Sequence, residues 1–579
     1  MAFNRFRPTS HFIAPHSWMN DPCGAIYVPE TQEYIVCYQW NPGTADGGNS
    51  AWGMAKSRNL VAWEDCSPAL RNGTSYDRFG VFSGSMTSSI VDGSRVLFLF
   101  YTSVSAVPIH VSFSKHITSS RTNSVPQWSK PYIKGCESQS VAFSTDFGRT
   151  WHRFQSNPLL AIPPKRGATT GWRDPFVSKW EALSALLHVD ASTDYMLVAS
   201  GERGRGPQLH LYQSDDLLDW QMVSTILEVP AGSKISPTSK LGFGMNFECA
   251  SFFGFGERQY VIVGIEEDHR SKHHSSRYLL WMSGNLIMED GKPRFKIKSH
   301  GTLDHGISYA AHIFRDSEGR ITQLGWADED VKQHVVSEQG WAGCLALPRE
   351  LYEISKPITK VGGEEDIWKL DYSSGTMTTL GIRPAPQILA LRDRLCPSSL
   401  ERFSSLQSRN FGIHATFRHL SGKEKFIFNV RQSPNSTEVT KITFDIQVGL
   451  ITVDRAHSSL ENLGSSSPDS GPFHLLPTEK LQIQIFVDNS ILEIYANDRF
   501  TLTSRIYPGL ETSTGASYDF RDFNEENVEF RCWEGLKNAW PSRKMEESDL
   551  VDMDSPLGII EEKMVIVSED LVLDLIPSR

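Results

Sequence analysis

The sequence predicts an all-β protein, a β-propeller followed by a β-sandwich, and three observations lead there. Through about residue 350 it runs in short β-rich stretches broken by Gly, Pro, Asn and Asp, with few long helical periodicities. Tyr34 to Tyr38, Val96 to Tyr101, Tyr195 to Ala199 and Tyr260 to Ile265 are the clearest strands, rich in residues that suit a pleated surface. A weak internal repeat comes second. Ser57 to Trp63, Ser144 to Trp151 and Ser214 to Trp220 each read as a strand end, a polar turn and a Trp. One such hairpin per unit is what a radial, bladed design requires, although the repeat leaves the blade number open. Third, the alternating segments Lys425 to Val430, Lys441 to Val448 and Gln482 to Tyr495 fit the half-buried strands of a sandwich.

A chain of 579 residues exceeds one ordinary domain, so two are expected. The propeller reads as residues 1–355, closed by Leu345 to Leu351, and a linker as 356–400 with a helical piece at Leu389 to Leu395. The sandwich occupies 401–540, and an acidic extension 541–579. That extension carries ten acidic against four basic residues, −6 of the net −11, and reads as a solvated tail. Its apolar runs Gly558 to Ile560 and Met564 to Val567 could add a strand to the sandwich or to a second subunit.

The net charge of −11 argues against nucleic acid or an anionic membrane as the main partner and says nothing against a neutral sugar. No apolar run is long enough to span a bilayer. The N-terminus MAFNRFRPTSHF lacks an apolar signal core, so with a native Met1 a cytoplasmic location is expected. The eight cysteines (23, 37, 66, 136, 249, 344, 396 and 532) show no metal-ligand spacing and read as buried small side chains. There is no phosphate-cradling glycine loop, no His cluster and no basic patch, so neither a metal nor an organic cofactor is implied. The sequons at Asn72 and Asn435 are short motifs expected by chance.

Three carboxylates stand out. Asp21 lies in the turn Trp18-Met19-Asn20-Asp21-Pro22-Cys23-Gly24, where Asn and Asp bond nearby backbone and Pro22 fixes its own φ. Asp174 sits in Gly171-Trp172-Arg173-Asp174-Pro175, and the adjacent guanidinium should favour its ionised form. Glu248, in the apolar run Asn246-Phe247-Glu248-Cys249-Ala250, should instead have its ionised form disfavoured by burial, which suits a general acid. Two carboxylates in opposed environments are the usual equipment for cleaving a glycosidic bond.

WMNDPCG, WRDP and FECA, in this order and at these separations, resemble the three signature motifs of glycoside hydrolase family 32. Tyr38 to Pro42, Phe82 to Ser85 and Glu137 to Ser140 match supporting segments, and Val487 to Ile494 resembles the family's sandwich signature. The resemblance runs from about residue 11 to about residue 540. It implies a five-bladed propeller and a reaction on β-linked fructosyl units of sucrose and short fructooligosaccharides. Asp21 would be the nucleophile, Glu248 the acid and base, and Asp174 the stabiliser of positive charge, with Arg173 orienting it. Retention of configuration would place nucleophile and acid about 5–5.5 Å apart.

The same resemblance suggests Asn20, Gln39, Trp52, Phe82 and Ser83 as fructose-binding residues. Asn20 and Gln39 are favoured, because a buried amide needs partners that a hydroxylated ligand provides, whereas Trp52 and Phe82 serve equally well as core. Cys249 reads as a packing residue that tunes Glu248. Asp304 is retained in Leu303-Asp304-His305-Gly306-Ile307-Ser308-Tyr309-Ala310, although that segment departs from the invertase pattern at His305 and Ser308. Gly325 to Asp330 and Glu266 to Arg277 are candidates for an outer, acceptor-binding subsite.

The first reading is therefore a retaining β-fructofuranosidase with transfructosylating activity. A dedicated fructosyltransferase making kestose-type products uses the same carboxylates and stands as its rival, with exo-inulinase activity and an inverting arabinan hydrolase behind. From another class, a non-catalytic sugar-binding propeller would have no need of a poised nucleophile and acid. The residues leave the oligomeric state open; the resemblance, whose members are often dimers through the sandwich, admits a homodimer.

Overall fold

The computed structural model describes residues 2–106, 132–164, 168–236, 241–266, 277–396, 400–521 and 523–543. Five largely antiparallel sheets follow one another along the chain, each entered through a long innermost strand. These strands are Ser17–Val28, Gly80–Val91, Thr169–Lys179, Asn246–Phe255 and Ser308–Arg315. Each packs on the innermost strand before and after it, and the fifth packs back on the first, closing a five-bladed propeller. Sheets covered on both faces must be apolar on both faces. Accordingly Phe98 and Phe100 of the second blade meet Trp172 and Val198 of the third in one buried cluster, and Trp180 stacks on Phe252 at 4.1 Å between the third and fourth.

The repeat seen in the sequence is one turn used three times, between the third and fourth strands of the first three blades. Asn59 Oδ1 accepts from the Val61 and Ala62 N–H, Asp146 Oδ1 from Arg149 and Thr150, and Asp216 Oδ1 from Leu218 and Asp219, all at 2.8–3.0 Å. In each the preceding Ser hydroxyl (57, 144 or 214) donates to that same oxygen, as expected where a short polar side chain stands in for backbone. Leu60, Phe147 and Leu217 take the same left-handed φ of 59, 60 and 67°.

The region after residue 340 differs from expectation. The ring is joined by Trp341–Ala342, which pairs in parallel with Ser17 and Trp18, rather than by Leu345 to Leu351. Arg349–Pro357 runs on as an interior strand of the fifth blade and pairs with Thr376–Pro384, which in turn pairs with Lys369–Asp371. Much of 356–400, expected as a linker, therefore belongs to this sheet. Alternation in Thr376–Pro384 is masked because both faces are buried, so it does not read as a strand by period. The helical piece expected at Leu389 to Leu395 is a 3-10 turn, Pro386–Leu391, followed by the strand Arg392–Leu395.

The sandwich has a six-stranded sheet (Arg392–Leu395, Val528–Leu536, Asn410–Phe417, Leu481–Asp488, Ile491–Ala496 and Phe500–Arg505) facing a five-stranded one. The second sheet runs Asp469–Pro472, Leu450–Asp454, Thr440–Asp445, Lys425–Gln432 and Gly515–Asp519. A cluster of Phe403, Phe417, Phe426, Phe428 and Phe520 fills the space between. The segment Gln482 to Tyr495 is a hairpin rather than one strand, and Lys441 to Val448 ends its pairing at Asp445. The apolar runs of the acidic extension fall after residue 543 and lie outside the described residues. Among the described residues no helix is long and apolar enough to cross a membrane.

Charge joins the two domains. Arg349 is fully buried, with ion pairs to Asp304 at 2.8 Å and Glu493 at 3.0 Å. His11, equally buried, lies between Asp488 (2.7 Å) and Glu493 (3.0 Å). Asp488 also accepts from the backbone of Thr9, Ser10 and His11, while Arg505 pairs with Glu329 and Arg455 with Asp330. Burial opposes a charge on His11, but hydrogen bonds and attraction from Asp488 and Glu493 outweigh it and raise its pKa from 6.5 to about 9. Stability from this clasp is thus present in full below about pH 6.5 and is lost as pH rises through about 9. Thermal unfolding of the native protein and a His11→Phe variant should therefore show a Tm gap that narrows above about pH 9. A gap of constant size across that range would mean that no charge is held there.

Candidate active site

A single backbone device recurs at one end of all five innermost strands. In each, two consecutive residues face one residue of the neighbouring strand. Asn20 and Asp21 lie opposite Gln39, Phe82 and Ser83 opposite Thr102, and Asp174 and Pro175 opposite Val198. Cys249 and Ala250 lie opposite Val263, and Ala310 and Ala311 opposite Gly325. A bulge of this kind bends its strand and re-aims side chains, and one within a strand tolerates Pro. Pro22 and Pro175 mark two of the five. Asp174, Cys249 and Ala310 adopt φ of 63, 45 and 51°, a left-handed conformation unusual for residues with side chains. Gly84 follows the second bulge where a Cβ would lie 1.8 Å from the Phe100 carbonyl oxygen, so only glycine fits.

The bulges bring Asp21, Asp174 and Glu248 together. Cys249 spans the first two: its thiol lies 3.6 Å from Oδ2 of Asp21 and 3.6 Å from Oδ2 of Asp174, and its backbone N–H donates to Asp174 at 2.9 Å. The Ser83 hydroxyl donates to Asp21 Oδ2 at 2.6 Å, and the Gln39 amide donates to both Ser83 and Asp21. Asn20 Oδ1 is buried without a hydrogen-bond partner among the described residues, an acceptor open to a donor from a ligand. Thr102 accepts from the Asp174 N–H at 2.8 Å and donates to Gln139, which in turn donates to the Trp172 carbonyl, so the third bulge is held by the second blade.

Arg173, expected to orient Asp174, gathers three glutamates. Its guanidinium reaches Glu137 (2.6 Å), Glu266 (2.8 Å) and Glu248 (3.0 Å), while Tyr309 donates to the other oxygen of Glu248 at 2.8 Å. Arg277 sits over the Tyr309 ring, 5.7 Å from its centroid. The electrostatic consequences reverse two expectations. Burial does oppose ionisation of Glu248, but Arg173, Arg277 and the Tyr309 hydroxyl outweigh it and hold this carboxyl below the usual range. Asp174 is pushed up instead, by burial and then by the charge of Glu248, which exceed the pull of Arg173. Asp21 rises to about 6 through burial and the Glu248 charge, offset by Ser83, Arg277 and Cys249. The cluster is too rich in carboxylates to ionise completely, and the proton falls on the member with least cationic support.

Other candidates divide. Trp52 is fully buried and its indole N–H donates to the Phe82 carbonyl at 3.0 Å, bracing the second bulge and leaving no donor for a sugar. Phe82 is itself 5 % exposed and packs with Val104 and Cys136. Asp304 is not at the site. It is buried at the domain joint, where it pairs with Arg349 and accepts from the backbone and hydroxyl of Thr503. The next residue, His305, stacks on Phe500 of the sandwich at 4.7 Å. From sequence a carboxylate beside Gly306 looks the same whether it meets a sugar or a buried arginine. Glu329 and Asp330, proposed for an outer subsite, are likewise committed to Arg505 and Arg455. Of the stretch Glu266 to Arg277, residues 267–276 lie outside the described residues. Glu137, Thr102 and Tyr309 went unrecognised as members of the site; a carboxylate within the fully buried strand Glu137–Ser144 was the available signal. Among the described residues no group of His, Cys, Asp and Glu is arranged to hold a metal ion.

Comparison with known proteins shows the family. Residues 11–359 match the N-terminal domain model of glycosyl hydrolases family 32, and residues 390–534 match its C-terminal model. The chain is 29% identical over 519 residues to a sucrose-6-phosphate hydrolase of Zymomonas mobilis, covering 88% of each. It is similar to the solved structure of an Aspergillus kawachii β-fructofuranosidase, at 25% identity and a TM-score of 0.78, covering 94% of this chain and 96% of the other. It shares its fold with the fructosyltransferase of A. japonicus, at 24% identity and a TM-score of 0.77, covering 94% and 97%. The protein is a glycoside hydrolase and belongs to glycosyl hydrolases family 32.

Proposed function

We propose that the protein is a retaining β-fructofuranosidase that cleaves sucrose and short fructooligosaccharides through a covalent fructosyl-enzyme. The observation that carries this reading is the convergence of three carboxylates from three blades, with Cys249 touching both Asp21 and Asp174 immediately after Glu248. Asp21 attacks the anomeric carbon as the bond to the departing sugar oxygen breaks. Glu248 gives that oxygen a proton, then takes one from the incoming acceptor as the fructosyl ester is released. Asp174 opposes the positive charge that develops between these steps. Asn20, Gln39 and Ser83 receive and direct the sugar hydroxyls, a role supported by the unpartnered Asn20 Oδ1 and by the bonds of Gln39 and Ser83 to Asp21.

The unliganded electrostatics fit this sequence once a ligand is considered. Sugar hydroxyls that donate to Asp174 favour its ionised form, and the proton of the crowded cluster then becomes available to Glu248. Transfer to a second sugar uses the same intermediate, and the balance between water and sugar lies with the acceptor side. Incubation with concentrated sucrose separates the outcomes: equal release of glucose and fructose means hydrolysis, and glucose in excess with trisaccharide formation means transfer. Release of neither sugar would overturn the sucrose assignment.

Asp21→Asn should abolish turnover while leaving thermal unfolding in place, and a variant that still splits sucrose at near-native rate refutes the nucleophile. Glu248→Ala should lose about 10²–10⁴-fold in kcat on sucrose and much less on an aryl β-fructofuranoside, whose leaving group needs no acid. Equal losses on the two substrates would remove Glu248 from the acid's role. Because Asp21 must be ionised to attack and its pKa is raised to about 6, kcat/KM should fall as pH drops through about 6. A limb near the ordinary aspartate value would show that another group governs it.

A further inference from the structure

We infer that Glu137 is a positioning residue for this reaction: by drawing the Arg173 guanidinium to itself it loosens that cation's hold on Glu248, so that Glu248 can carry the proton it must deliver. The inference rests on the reading of Glu248 as the acid. Glu137 opens the strand Glu137–Ser144 of the second blade and has no exposed surface, so it is too deep to serve as a sugar ligand. Of the three ion pairs that Arg173 makes among the described residues, that to Glu137 is the shortest at 2.6 Å and that to Glu248 the longest at 3.0 Å. The second oxygen of Glu137 accepts the Trp172 N–H at 2.8 Å, so the carboxylate is fixed from both sides of the arginine's own strand.

Charge shows why two supporting carboxylates matter. A lone guanidinium bonded to Glu248 in a buried site would keep it ionised and useless as an acid. With Glu137 and Glu266 bound to the same cation, these three side chains together carry a net negative charge, which weakens the hold of Arg173 on the ionised form of Glu248. Among the described residues, the other groups around Glu248 are Arg277 and Tyr309, which favour its charge, and Asp174, Asp21 and the Cys249 thiol, which oppose it or lie close by. Around Glu137 stand Arg173, Tyr132 and Cys136, and neither Tyr132 nor Cys136 brings a positive charge. Glu137 is therefore a fixed counter-charge that sets the acid from behind the arginine, without touching substrate.

Glu137→Gln tests this, since it keeps the volume and an acceptor for the Trp172 N–H while removing the charge. The expected result is a basic limb of kcat/KM for sucrose displaced downward by about one pH unit, equal to a loss of about tenfold at any pH above the limb. Below the limb the rate should stay near native, and an aryl β-fructofuranoside should be spared throughout. A limb in its native position, with any loss equal at all pH values and on both substrates, would overturn the inference and leave Glu137 a structural partner only. If the Gln variant does not fold, Glu137→Asp retains the charge and should retain the native limb; a downward shift there would overturn it as well. Failure of the acid assignment itself would show separately, as equal losses on both substrates in Glu248→Ala.

Discussion

The constraint on which this protein depends is that five separate strands must each turn a short piece of backbone toward one axis at the same level. A regular strand alternates its side chains between two faces that are both occupied here, one by each neighbouring blade. The two-residue bulge frees a position from that alternation. Because it recurs in every blade, the ring of bulges forms a continuous rim, and residues more than 200 positions apart, such as Asp21 and Cys249, come into contact. Strain is part of the arrangement: three bulge residues with side chains are held in left-handed backbone. Such conformations persist where surrounding packing over-determines them, and they concentrate at functional sites.

The electrostatics of the rim follow from crowding rather than from any single pair. Burial opposes the ionisation of Asp21, Asp174 and Glu248, and among the described residues Arg173 and Arg277 divide between more carboxylates than they can neutralise. Which member is left protonated is decided by geometry, since Arg173 and Arg277 favour Glu248 and leave Asp174 with the least support. The unliganded protein thus disfavours the charge of Asp174 and favours that of Glu248. On the function proposed above, substrate hydroxyls would complete the division and couple sugar binding to protonation of Glu248.

The motifs around Asp21, Asp174 and Glu248 were legible in the sequence because each encodes a local departure from strand geometry, through Pro22, Pro175 or a polar residue in an apolar run. Register between blades was not legible. Phe247 and Phe252 suggested an apolar pocket for Glu248, yet alternation sends Phe247 into the core while Glu248 faces an arginine from another sheet. Glu137 and Tyr309 belong to the site only through that same inter-blade register. Asp304 was misplaced for the complementary reason: its partner Arg349 lies 45 residues downstream and is brought to it by the sandwich joint. At the level of architecture, the repeat of Ser, Asx and Trp signalled blades because it is a self-contained turn, whereas Thr376–Pro384 carried no period with which to announce itself.

The clasp at His11 bears on what counts as a module here. Asp488 and Asn489, at the tip of a sandwich hairpin, hold the backbone of residues 5, 7 and 9–11, and the chain then runs directly into the strand that carries Asp21. The sandwich is therefore a template against which the first blade is entered, despite lying more than 400 residues later. Exchanging it for another member's sandwich would preserve the reaction only where that hairpin tip and its carboxylates were exchanged with their N-terminal counterpart. A change at this hairpin tip therefore calls for a matching change in residues 5–11, so the two halves are suited to being inherited as a pair.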